Sequence, residues 1–141
     1  MDFPKDISTL YRKMHVSLNS TLDSMGLSGS KAMFVFCLYA HEPMTQNDLC
    51  RHLDMDKSTV AKMITRLEKD GLVTKKANPE DMRSHLVHLT DAAHELVPQA
   101  QKVQADWVDR VTVDLTAEEK QAFFAQLCRV AQKANELCGV S

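Results

Sequence analysis

Apolar residues recur at three- and four-residue steps along most of the chain, and one short stretch alternates instead. Ile7, Leu10, Tyr11, Met14, Leu18, Leu22 and Met25 keep the helical spacing, which predicts an amphipathic helix near residues 6–25 closed by Gly26. Ser28 is placed to cap a second helix reaching about Ala40. Its run Met33 to Leu38 is apolar on every side and predicts burial all round. Pro43 stops that pattern. Thr45 and Asp48 form the acidic version of a capping box and open a short helix through Leu49 and Leu53. Asp56 caps the next helix, with Val60, Met63, Ile64 and Leu67 as the inner stripe and Gly71 at the end.

Val73 to Ala77 and Ser84 to Leu89 then read as two strands around the turn cluster Asn78-Pro79-Glu80-Asp81. A two-stranded hairpin is marginal alone, so it must pack on the neighbouring helices. After Thr90 a long helix carries Leu96, Val103, Trp107 and Val111, with Pro98 near its start. Thr116 and Glu119 make a second capping box with Leu115 as its staple. The last helix carries Phe123, Phe124, Leu127, Val130, Ala131, Ala134 and Leu137. The expected fold is mainly α with a small β-hairpin wing, a single domain over residues 1–141 without repeat or linker. The stripes of the first helix and of residues 115–138 hold more apolar surface than one small winged helix covers, which predicts a homodimer.

Composition adds exclusions. With 44% hydrophobic and 26% charged residues the chain is an ordinary soluble protein. No apolar run approaches the roughly 18 residues of a membrane span, and the start lacks a secretion signal, so the expectation is a cytoplasmic protein with no membrane partner. Cys37, Cys50, Cys128 and Cys138 form no CxxC pair and read as reduced thiols. The net charge of −2 argues against a polyanionic partner, but its distribution reverses that. Between Lys57 and Lys76 six basic residues oppose two acidic ones, a local +4 that leaves −6 for the rest.

That basic stretch belongs to the informative segment, Thr45 to Thr90: short helix, tight connection, second helix, hairpin. In a helix-turn-helix the second helix needs one stripe for the core and another of small donors and long cations for the major groove. Here Ser58, Lys62 and Arg66 share a face at i, i+4 and i+8, with Thr59 alongside. Short hydroxyls at the helix start approach base edges closely, and long cations further on reach phosphates or guanine. An ordinary surface helix would carry more acid there, whereas Glu68 and Asp70 come only at the end. These residues predict double-stranded DNA as partner.

The run Thr45-Gln46, Leu49, Leu53, Asp56-Lys57-Ser58-Thr59-Val60, Arg66-Leu67-Glu68, Gly71-Leu72-Val73 resembles the MarR family of regulators. Asp81-Met82-Arg83 followed by Val87-His88-Leu89-Thr90 resembles that family's wing signature, and Leu115-Thr116 with Glu119 its entry into the last helix. The resemblance implies a transcriptional regulator, probing a pseudo-palindromic operator as a homodimer and acting as a repressor. Residues 1–26 and 91–141 would form the dimerisation helices and 28–90 the winged-helix part. With the residue pattern it points to DNA contacts by Thr45, Gln46, Lys57, Ser58, Thr59, Lys62 and Arg66, and it implies Arg83 in the minor groove; Asp81 is the candidate for orienting Arg83 or Arg66 through a charge-assisted hydrogen bond. Met82 departs from the family where a basic residue is common, Asn78 where Asp is frequent and Ala93 where Gly is frequent.

A small-molecule effector is implied by the family alone. Tyr11, Met14, His15, Met33 and Cys37 would line its site, an apolar wall with a hydroxyl and an imidazole suited to an aromatic acid. Filling of the core is the competing reading of the same residues. No cofactor and no metal site is expected. His85 and His88 fall on opposite faces of a strand, and Cys37 with His41 has a chelating i, i+4 spacing but reads as a packed thiol. Family members that sense oxidants carry a cysteine near the end of the first helix, where this chain has His15. Cys50, flanked by Arg51 and His52, is the remaining redox candidate. A metal- or redox-responsive regulator of the same fold and a protein-interaction module with an acidic partner are the alternatives. An enzyme is disfavoured, since the chain has no GxSxG elbow, no glycine-rich phosphate loop and no HExxH.

Overall fold

The computed structural model describes residues 1–138, so residues 139–141 of the expected 91–141 segment lie outside the described residues. Six helices surround one small sheet: α1 (Phe3–Leu22), α2 (Gly29–His41), β1 (Met44–Thr45), α3 (Gln46–Leu53), α4 (Lys57–Lys69), β2 (Val73–Ala77), β3 (His85–Leu89), α5 (Asp91–Val111) and α6 (Ala117–Cys138). The expected helix over 6–25 is α1 plus a 3-10 turn at Asp23–Met25, started earlier by an Asp2 cap and Pro4 in the first turn.

The caps fall where the sequence puts them. The Ser28 side chain accepts from Lys31 N–H, Asp56 from Thr59 N–H and Thr90 from Ala93 N–H. Thr45 and Asp48 complete the capping box in both directions, at 3.1 and 2.9 Å. Thr116 and Glu119 repeat it at the start of α6. At Gly71 a φ of 76° turns the chain out of α4, in the left-handed region that a side chain would strain. Gly29 serves close approach instead. A Cβ there would lie 2.9 Å from His15 Nδ1, so the absent side chain lets α1 lie against the start of α2.

The sheet has one strand more than the hairpin expectation. Its order is β1-β3-β2, all antiparallel, with Met44 opposite Val87 on one side and Lys75 opposite the same Val87 on the other. β1 is two residues long and runs directly into α3, too short for alternation to reveal it. Thr90 closes the sheet's end, its hydroxyl donating to Gly71 C=O at 2.8 Å and its N–H to Leu72 C=O at 3.0 Å.

The core lies between α2, α3, α4, the sheet and the first half of α5. Phe34, Leu22, Leu38, Met44, Leu49, Ile64 and Leu67 are its largest fully buried members. α2 corrects its expectation of burial all round: Met33, Phe36 and Cys37 are only half-buried, because the described residues leave one side of the helix partly uncovered. In α1 only Leu18 and Leu22 are buried, and Ile7, Leu10 and Tyr11 stay exposed. α5 runs unbroken through Pro98, with Leu96, Val103 and Trp107 partly buried but Val111 exposed. α6 buries none of its described side chains.

Candidate nucleic-acid interface

α4 is held by its apolar stripe and offers the opposite face to solvent. Val60, Met63, Ile64 and Leu67 are buried, while Lys57, Ser58, Thr59, Lys62 and Arg66 are exposed. The two carboxylates at its end are both engaged: Asp70 with Lys31 of α2 at 2.6 Å, Glu68 with Lys75 of β2 at 3.8 Å. Lys57, Lys62 and Arg66 have no carboxylate partner among the described residues. The acids of this basic stretch are thus turned to positioning, and the free cations point outward.

A groove of about 620 Å³ separates the start of α3 and α4 from the wing. Five of the expected residues line it: Thr45, Gln46, Lys57, Asp81 and Arg83. Ser58, Thr59, Lys62 and Arg66 lie beside it on the open face of α4. Gln46 Nε2 donates to Lys57 C=O at 3.2 Å, so this side chain ties the two helix starts together as well as facing the groove. Asp48, behind Thr45, has its carboxyl held below the ordinary aspartate range. The Thr45 backbone N–H is the main cause, and Arg51 also pairs with it.

The wing tip is braced by short-range bonds. Asn78 Oδ1 accepts from Glu80 N–H at 3.0 Å and Asn78 Nδ2 donates to Ser84 Oγ at 2.9 Å. Asp81 Oδ1 accepts the Arg83 N–H at 3.0 Å and lies 3.7 Å from Arg83 Nε. Of the two partners expected for Asp81, Arg83 is therefore the one it meets. The Arg83 side chain is 94% exposed, and Met82 beside it is also bare. Thr65, not among the expected residues, lies exposed between Lys62 and Arg66, two turns beyond Ser58 on the same face. Its spacing was a usable signal. The roles of Asn78 and Ser84 depend on the turn's path and had no such signal.

The other candidates separate. The Tyr11 and His15 rings meet at a tilt of 60° with centroids 4.4 Å apart, and Met14, Met33 and Cys37 are half-buried. His15 Nε2 is buried without a hydrogen-bond partner among the described residues. Cys37 does not join His41: its thiol turns to Met44 sulfur at 3.9 Å, and the His41 ring lies 4.5 Å from that of His52. Burial pushes the Cys37 thiol up, away from thiolate. Cys50 is buried in the core. Among the described residues no three His, Cys, Asp or Glu side chains gather as metal ligands, and no helix is long and apolar enough to cross a membrane.

Comparison with known proteins agrees with this architecture. The MarR family model matches residues 27–85, from just before α2 to the start of β3. The HTH-type transcriptional regulator YwoH of Bacillus subtilis is 31% identical over 105 residues, 74% of this chain and 76% of YwoH. YdgJ of the same organism, also an HTH-type transcriptional regulator, is 28% identical over 112 residues, 79% of this chain and 68% of YdgJ. The fold matches that of S. aureus MepR, solved as a complex with DNA, with a TM-score of 0.85 at 20% identity over 94% of this chain and 98% of that one.

Proposed function

Because this chain belongs to the MarR family of transcriptional regulators, we propose that it is a cytoplasmic repressor that binds a pseudo-palindromic duplex as a homodimer, with α4 in the major groove and the wing in the minor groove. The observation that carries this reading is the unpaired cationic face of α4, set beside a wing whose Arg83 stands almost wholly in solvent. Lys57, Lys62 and Arg66 supply phosphate and guanine contacts, and Arg83 suits the narrow, negatively charged minor groove. The likeness to MepR supports DNA as the partner. The bare apolar residues of α1 and α6 support the second copy, since an exposed stripe of this length calls for cover.

The same reading assigns release to a small aromatic acid near Tyr11, Met14, His15, Met33 and Cys37. Its support is the His15 Nε2, buried without a partner among the described residues, in a ring that meets Tyr11 at a tilt. The test is selection of bound fragments from random duplexes, followed by affinity across a salt series. A recovered inverted repeat whose binding falls steeply with salt supports the proposal. Retention without sequence preference, or retention of acidic protein alone, favours the interaction module instead.

A further inference from the structure

The first turn of α4 carries two exposed hydroxyls, and both give their protons to one acceptor. Ser58 Oγ donates to Asp56 Oδ1 at 2.8 Å, and Thr59 Oγ1 donates to Asp56 Oδ2 at 3.0 Å. The same carboxylate accepts the Thr59 backbone N–H at 2.8 Å as the helix cap. These bonds hold the Asp56 carboxyl below the ordinary aspartate range, the Thr59 backbone N–H contributing most, so it stays ionised and purely an acceptor. A hydroxyl has one proton and two lone pairs. With its proton committed to Asp56, each oxygen turns only acceptor character outward. Rotating either hydroxyl to donate elsewhere would break a bond to an ionised partner, roughly twice as strong as a neutral one.

Base edges in the major groove differ in this respect. Adenine N6 and cytosine N4 donate, whereas guanine N7 and O6 and thymine O4 accept. Resting on the DNA-binding reading above, we infer that Ser58 and Thr59 form a pair of acceptors that selects amino-bearing bases, adenine or cytosine, at the positions facing the first turn of α4. The ionised Asp56 between them repels carbonyl edges and strengthens the choice. Lys62 and Arg66, one and two turns further along, are left to contact phosphates or guanine. The basic face therefore begins with an acceptor cluster, and its two ends read opposite chemistry.

The test uses the full chain and the duplex recovered by selection. Each adenine in turn is replaced by purine, which lacks the N6 amino group, and each cytosine by 2-pyrimidinone, which lacks the N4 amino group. At one or two positions per half-site the deletion should weaken binding by about five- to a hundredfold. That penalty should vanish in Ser58→Ala or Thr59→Val. Asp56→Asn keeps the helix cap, since Asn serves there as well as Asp. Its carboxamide oxygen, in the place of Oδ1, keeps the cap and the Ser58 bond, while its NH₂, in the place of Oδ2, donates to Thr59 Oγ1 and frees that proton, so this variant should shift preference at the Thr59 position toward guanine or thymine. Amino deletions that cost wild type and both hydroxyl variants equally overturn the inference, as does a carbonyl-bearing base selected through Ser58 and Thr59. Duplexes bound with no sequence preference overturn the DNA reading itself. A defined operator without hydroxyl-dependent amino penalties overturns this inference alone.

Discussion

The middle of the chain and its two ends carry the same kind of apolar pattern and meet opposite fates. In α4 the stripe through Ile64 and Leu67 is buried in the core, the helix packing on α3 and β2, with Leu67 at 0% exposure. In α6 the stripe through Phe123, Leu127 and Val130 lies open, with Leu127 at 45%. Periodicity alone does not distinguish them. A helical stripe specifies which face seeks cover, and chain topology decides whether the cover lies in the same molecule. The middle covers its stripe within one chain; the ends leave theirs for the proposed second copy.

Deleting everything after Leu115 should have the largest effect, abolishing association or solubility outright, while the buried core of the middle remains intact. Sedimentation of the full chain should give about twice its 15.9 kDa at micromolar concentration. A full-length monomer that still binds an inverted repeat at undiminished affinity would break the comparison.

A matched pair of leucines sharpens it. Leu67→Ala should cost about 2–5 kcal/mol in urea unfolding, because a filled core cannot fully collapse around the gap. On the proposed homodimer, where the second copy covers Leu127, Leu127→Ala should instead make the unfolding midpoint depend more strongly on protein concentration. Equal, concentration-independent losses would place both leucines in one intrachain core.

Smaller effects belong to the caps of the middle region. Thr45→Ala should cost about 1 kcal/mol by thermal or urea unfolding. The Asp48 half of that box has a depressed pKa in the folded state, so its contribution is present above the unfolded pKa and is lost as pH falls through the lower folded value. The stability gap between wild type and Asp48→Asn should therefore close below about pH 4. A gap that persists unchanged in acid would show that the carboxylate charge is not what matters.

Least affected in stability should be Arg83→Ala, within about 0.5 kcal/mol, because its side chain is 94% exposed. Its signature is elsewhere: broad loss of DNA affinity and a salt slope flatter by about one unit. An unchanged slope would make the wing a purely structural hairpin.

Much of the middle was legible from the chain because its signals are local. Ser28, Thr45 and Asp56 each sit beside the helix they open, and a capping side chain needs only three or four residues to act. The strand over Val73–Ala77 was equally plain between Gly71 and the Asn78-Pro79 turn. β1 was not, because two residues carry no period and its partner β3 lies about forty residues away. The half-open side of α2 was misjudged for a related reason: an all-apolar run says how much surface wants cover but not how much the chain supplies. At the site, the cations of α4 followed from spacing, whereas the Asp56 bonds to Ser58 and Thr59 depend on rotamers that no residue pattern encodes.

β3 has one consequence for regulation. It is hydrogen-bonded on one edge to the strand that feeds α3 and on the other to the strand that leaves α4. Wing and recognition helix are thereby clamped to a single rail, like the two fixed jaws of a gauge. Their mutual spacing cannot change without breaking the ladder that holds both. A signal that switches such a protein has little to gain by bending one gauge. In the proposed homodimer, release would instead act on the separation or tilt between two of them, through the long helices at the chain's ends.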